Sequence, residues 1–152
     1  MKRIFQVIFI LISVLACKEV FESPPQAFLK ATLWDSSTQK SVESKIMVWG
    51  IGLDNLWVRD SVLQEIILPL SGNDTTSYLI WFDSQADTIS FIHETTQKYA
   101  SMESGFYYEY KLRSIDFTHH RIDSIRILDS LVTKKWNENI KLYLHPLSVG
   151  NN

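Results

Sequence analysis

The chain's single cysteine, Cys17, closes the run Val14-Leu15-Ala16-Cys17, and in that setting its thiol is a nucleophile for lipid transfer. Upstream lie two cations, Lys2 and Arg3, and an uncharged stretch of 13 residues from Ile4 to Ala16, the layout of a cleavable bacterial lipoprotein signal. A bilayer span needs about 20 apolar residues, so the stretch predicts a short signal helix and not a permanent transmembrane segment. In such proteins the thiol takes a diacylglyceryl group, the peptide is cut before the cysteine, and two or three acyl chains anchor the product. With Cys17 spent on lipid, no disulfide is open to an exported domain that would otherwise have used one.

Other residues offer weaker chemistry. Asp116-Phe117-Thr118-His119-His120-Arg121-Ile122-Asp123 places two imidazoles between carboxylates, ligand types that zinc or copper accepts. Adjacent histidines on an extended strand point to opposite faces, so His119 and His120 converge on one ion only inside a turn. The expectation is a solvated connection between strands, with no metal. Ser37-Thr38-Gln39-Lys40 has the Ser-x-x-Lys form of penicillin-binding enzymes, but it sits in a polar, turn-rich stretch without the Ser-Asp-Asn and Lys-Thr-Gly companions. Asn73-Asp74-Thr75 is formally a glycosylation sequon and reads more simply as a turn. No Gly-x-Ser-x-Gly, His-Glu-x-x-His, phosphate loop or dinucleotide fingerprint occurs, so no catalytic residue and no cofactor are expected, and the chain reads as a non-enzyme.

The aromatic residues support a binding reading. If Ala27, Leu29, Ala31 and Leu33 face the core, Trp34 faces outward, and Trp49, Trp81 or Tyr107 could join it as a flat platform for a sugar or peptide. The competing expectation is that these rings fill the rim of the fold, since Trp is highly buried on average.

Removing residues 1–16 leaves 136 residues, enough for one domain with one core. The signal holds two of the 15 Lys and Arg and no acid, so 13 cations remain against 17 Asp and Glu, a formal charge of −4. With no basic cluster to displace counterions from a phosphate backbone, nucleic acid is not an expected partner. The organisation follows as a signal peptide (1–16), a lipidated Cys17 with a charged, proline-ended tether (17–25), a β domain (26–146) and a short tail (147–152).

Within 26–146 the period is two. Ala27, Leu29, Ala31 and Leu33 alternate with Phe28, Lys30, Thr32 and Trp34 up to a stop at Asp35-Ser36-Ser37. Ser44 to Gly52 is apolar on both faces, as a central strand would be, and Asp54-Asn55 turns the chain. Val62, Ile66, Leu68 and Leu70 are expected on one strand face, with Pro69 near its end, before the turn Ser71-Gly72-Asn73-Asp74. Tyr78–Phe82 and Thr88–His93 read as a hairpin. Phe106, Tyr108, Tyr110 and Leu112 oppose Tyr107, Glu109, Lys111 and Arg113 on a half-buried strand. Ile122 to Leu131 fits a helix or a strand, and its β-branched content favours the strand. Ile140, Leu142 and Leu144 complete an all-β, antiparallel sandwich of about seven to eight strands, an immunoglobulin-like Greek key being the preferred version.

Taken in order, Trp34-Asp35, the Gly50-containing strand, Ile67-Leu68-Pro69-Leu70, Asp87-Thr88-Ile89-Ser90-Phe91, Ser104-Gly105-Phe106, Ile122-Asp123-Ser124-Ile125 and Asn137-Glu138-Asn139-Ile140 resemble a family of small Bacteroidota lipoproteins catalogued only as a domain of unknown function. The resemblance spans nearly the whole mature chain. It implies an all-β fold and a cell-envelope location, as an outer-membrane lipoprotein on the periplasmic face or the cell surface, and no activity. It also implies a cysteine before the Gly-Phe step, where Ser104 stands here. Lys18-Glu19 partly matches the surface-display signal of such proteins. The functional expectation is a lipid-anchored interaction or structural module whose partners are the membrane and an envelope protein or glycan, the alternative being a carbohydrate or peptide binder using Trp34, Trp49 and Trp81.

Overall fold

The computed structural model describes residues 25–52 and 56–147. Ten strands lie in them: β1 (Phe28–Asp35), β2 (Ser44–Gly50), β3 (Leu56–Leu63), β4 (Glu65–Pro69), β5 (Thr75–Phe82), β6 (Gln85–Ser101), β7 (Gly105–Phe117), β8 (Ile122–Ile127), β9 (Leu131–Val132) and β10 (Glu138–Leu144). The expected signal peptide and its helix, Cys17, most of the expected tether, the expected Asp54-Asn55 turn and most of the tail fall outside the described residues.

The strands form a two-sheet sandwich. A four-stranded sheet runs β4-β1-β10-β8 and a six-stranded sheet runs β3-β2-β5-β6-β7-β9. Every pairing is antiparallel except that of β1 with β10, which sets Leu33 beside Leu142 and joins the first strand to the last. This order is not the ABED/CFG order of immunoglobulin constant domains. The strand count exceeds seven or eight because β3 and β4 are separate strands in different sheets and β9 is a two-residue strand at an edge.

The core is what the alternation predicts. Leu29, Ala31, Leu33, Ile66, Leu68, Ile140 and Leu142 from the small sheet meet Ile46, Val48, Ile80, Phe82, Ile89 and Phe91 from the large one, all essentially without solvent contact. Each Leu, Ile, Val and Phe among them contributes roughly 1.5–3 kcal/mol by leaving water. Two tyrosines of the large sheet also reach the end of β4: the Tyr78 hydroxyl donates to the Pro69 carbonyl, and the Tyr110 hydroxyl to the Leu70 carbonyl at 2.7 Å. Burial pushes both phenol pKa values up, so both remain donors at any physiological pH.

Two expectations need correction. Val62 does not share a face with Ile66 and Leu68: it lies on β3 in the large sheet and is exposed, while Ile66 and Leu68 are buried on β4 in the small one. The chain changes sheets at Gln64, so the alternation on either side belongs to different layers. The β2 strand lies between β3 and β5, but only one of its faces is covered; Ile46 and Val48 are buried and Trp49 is out. The hairpin of β5 and β6 is as expected, with Phe82 opposite Gln85 across Asp83-Ser84. Ile122–Ile127 is a strand, ending short of Leu131.

The largest departure is the length of β6 and β7. Their pairing continues from Ile89 with Phe117 to Ser101 with Gly105, beyond the start of β1 and the end of β4. The inward rows, Phe91-His93-Thr95-Gln97-Tyr99 and Leu112-Tyr110-Tyr108-Phe106, therefore begin in the core and finish without a facing sheet. Past Tyr110 the two strands overhang the sandwich for about 20 Å.

Candidate functional site

The two ends of the sandwich differ. At the end of β1 and β5, the cluster Asp116 to Asp123 is organised by a carboxylate that lies outside it. Asp87 is fully buried. Its Oδ1 accepts the Thr118 hydroxyl at 2.6 Å, the His120 N–H at 2.8 Å and contacts His120 Nδ1 at 3.1 Å; Oδ2 accepts the N–H groups of Arg121 at 2.7 Å and Ile122 at 2.9 Å. Burial alone would raise the Asp87 pKa, but the bonds from Thr118 and the three backbone amides outweigh it and hold it below the ordinary carboxylate value. Asp87 thus pins the β7–β8 connection to the start of β6.

The two histidines lie in the β7–β8 connection and part company there: His120 turns to Asp87, while the His119 ring lies 4.4 Å from that of Phe117. Among the described residues no three His, Cys, Asp or Glu side chains are placed to hold a metal ion. Arg121 is buried beside them and donates to Asp83 Oδ2 at 3.3 Å, where Ser44 also donates at 2.9 Å. Ser37 and Lys40 lie in a turn capped by Asp35, which accepts the N–H groups of Ser37 and Thr38, so no helical turn carries Lys40 onto Ser37. Asp87 was missed in the sequence although a signal existed. It occupies an inward position of the Ile89 and Phe91 alternation, where an acid survives only if its oxygens are satisfied.

The tryptophan platform divides. Trp49 and Trp81 share the outer face of the large sheet on adjacent strands, with Trp49 opposite Leu79 and Trp81 opposite Met47, and both are exposed. Trp34 does not join them. It lies on the outer face of the small sheet, half-buried, with the Lys141 ammonium 3.5 Å from the centre of its ring and its Nε1 donating to Thr32. Tyr107 is outward on the large sheet but remote: Trp81 is level with Ala86 and Tyr107 with Lys98, twelve residues along β6, which is about 40 Å.

A different aromatic cluster stands at the opposite end, where β1 begins. Phe28 packs between Trp57 of β3, at 6.2 Å, and Trp136 of the β9–β10 connection, edge-on at 5.2 Å. Each indole is tied to backbone, Trp57 Nε1 to the Ile67 carbonyl at 2.7 Å and Trp136 Nε1 to the Gln26 carbonyl at 2.8 Å. Beside them a groove of about 350 Å³ runs between the start of β1 and the overhanging hairpin, lined by Pro25, Phe28, Trp57, Pro69, Phe106 and Tyr108 among others. That volume is within the range of small-ligand sites. The strand holding Phe106 and Tyr108 was legible in the sequence. Trp57 and Trp136 were not, because they sit in segments without alternation.

Just inside the groove, His93 is buried with its ring edge-on to Tyr110 at 5.1 Å. Its Nε2 shares a hydrogen bond with the Thr76 hydroxyl at 3.0 Å and its Nδ1 with the Thr95 hydroxyl at 3.3 Å. Burial lowers its pKa against the opposing pull of Asp74, so the ring is neutral near pH 7.

Comparison with known proteins adds a family. The model of the family of unknown function DUF6452 matches residues 45–144, from the start of β2 to the end of β10, and the chain belongs to that family. No curated protein and no solved structure matches it.

Proposed function

We propose that this member of the family is a lipid-anchored protein of the bacterial cell envelope, held in the outer membrane through Cys17, whose β-sandwich is a non-enzymatic interaction or structural module. The observation that carries the reading is the signal layout of Met1 to Cys17, with Lys2 and Arg3 ahead of a 13-residue uncharged run and the only cysteine at the expected cleavage point. The groove at the β1 end supports the interaction part, since an apolar concavity walled by fixed aromatic rings is a contact surface. The Asp116 to Asp123 cluster supports the non-enzymatic part, because the oxygens of its partner Asp87 are spent on holding backbone. Fractionation tests the reading: the chain should sediment with outer membranes, and Cys17→Ala should leave the precursor uncut and release no acylated product. A wild-type chain recovered wholly in the soluble fraction would sink it.

A second reading is favoured by one feature, the Trp49 and Trp81 pair on the open face of the large sheet. Two neighbouring exposed indoles suit a sugar ring or a peptide. Titration with envelope glycans or peptides should then quench tryptophan emission, and the quenching should vanish in a Trp49→Phe, Trp81→Phe chain.

A further inference from the structure

The aromatic end of the sandwich and the putting-out point of the tether coincide. Pro25 lines the groove and is only eight positions beyond Cys17, a reach of at most about 29 Å when fully extended. Any bilayer holding Cys17 therefore lies within that reach of this end. The opposite end, with Asp83, Asp87 and Arg121, stands some 23 Å further along β5.

What this end presents is unusual for a surface facing water. Tyr99, Met102 and Phe106 are 59%, 90% and 60% exposed, with Tyr108, Trp57 and Trp136 each near half. The first three belong to the tip of the overhanging hairpin, where Tyr99 and Phe106 pack ring to ring at 5.5 Å and Met102 occupies the turn. Three lysines flank them: Lys98 is paired with Tyr107, Lys134 reaches to 5.7 Å from the Tyr107 ring, and Lys135 is next to Trp136. Glu109, bonded to the Tyr107 hydroxyl, and the exposed Glu103, next to Met102 in the turn, are the acids among them, with Asp129 beyond Glu109. Trp and Tyr with lysines around an apolar tip is the composition that settles at the headgroup level of a bilayer.

We infer that the β6–β7 hairpin tip and the rim of the Phe28, Trp57 and Trp136 groove form a second membrane contact, so that the sandwich rests on the bilayer surface beside its own anchor. This deepens the reading of Cys17 as a lipid anchor and rests on it. The hairpin lies along the bilayer surface, so that its exposed rings and the groove indoles meet the interface together and the lysines meet phosphate. The contact fixes the orientation of the domain, turning the Asp87 end away from the bilayer.

Depth-resolved quenching tests the contact. The acylated chain is reconstituted in vesicles of phosphatidylethanolamine and phosphatidylglycerol carrying brominated acyl chains, and the mass of its Cys17 peptide is measured in the same sample. Bromine should remove about two fifths of the emission, the share of Trp57 and Trp136 among five tryptophans. Trp49→Phe with Trp81→Phe should raise that share to about two thirds, and Trp57→Phe with Trp136→Phe should lower it several-fold. Tyr99→Ser with Phe106→Ser keeps every tryptophan and should also lower it. An acylated chain with unquenched Trp57 and Trp136, or with Trp49 and Trp81 quenched in their place, would overturn the contact. So would quenching of the groove tryptophans by a soluble glycan or peptide with no response to vesicles. If the Cys17 peptide carries no acyl chain, the anchor reading fails separately, and the same measurement on chain coupled through Cys17 to a maleimide lipid decides the contact.

Discussion

Asp87 shows how one buried charge organises a connection. Its carboxylate gathers three backbone N–H groups and the Thr118 hydroxyl at the start of β8, groups that would otherwise be orphaned. Asp87→Ala should cost about 3 kcal/mol in urea unfolding, because the donors lose their acceptor inside the fold; a loss under about 0.5 kcal/mol would remove the role. Because the folded pKa lies below 3.8, the contribution is complete above that value and is lost as the pH falls through the folded value. His93 works in a different window. Its folded pKa lies below 6.5, so the unfolded chain takes up the proton first and stability falls as the pH drops below 6.5. Unfolding curves between about pH 8 and pH 5 should show that decline, and His93→Gln should flatten it. An unchanged slope in the variant would assign the decline elsewhere. From the sequence, Asp87 was visible only as an acid out of place in an apolar alternation, while the adjacent His119 and His120 drew notice that the geometry does not support.

The elements were legible where one face is buried and the other wet. The β1, β5 and β10 alternations are read directly, because period two in the chain becomes inside and outside in a sandwich. The far half of β6 was not legible, since Glu94 to Ser101 is mostly polar. It remains a strand because β7 pairs with it residue by residue, with an ion pair between Glu94 and Arg113 and the pairs Thr95 with Tyr110 and Thr96 with Glu109. The overhang therefore adds little to the core. Tyr99→Ser with Phe106→Ser should change stability by less than about 0.5 kcal/mol per site, whereas Phe82→Ala, fully buried between the sheets at the end of β5, should cost roughly 3–5 kcal/mol. Equal losses in the two unfolding experiments would mean that the hairpin tip is packed after all. The change of sheet at Gln64 was hidden for a related reason: nothing in Val62, Ile66 and Leu68 marks which layer each faces.

At the scale of the molecule, alternation and turn spacing give an all-β sandwich, but strand order depends on long-range pairings with no local signature. The parallel pairing of β1 with β10 joins residues more than a hundred positions apart. That pairing places Phe28 and Trp136 together, and with them the point at which the chain leaves toward Cys17. The molecule then has a polar end held by Asp87 and an aromatic end next to the proposed anchor, and the proposed attachment at Cys17 would give the difference a purpose. The most direct measurement is the mass of the amino-terminal peptide of the protein isolated from its own membranes. The expected peptide begins at Cys17 and carries a diacylglyceryl group. A Cys17 with a free thiol, or a peptide still continuous with residues 1–16, would contradict attachment through Cys17.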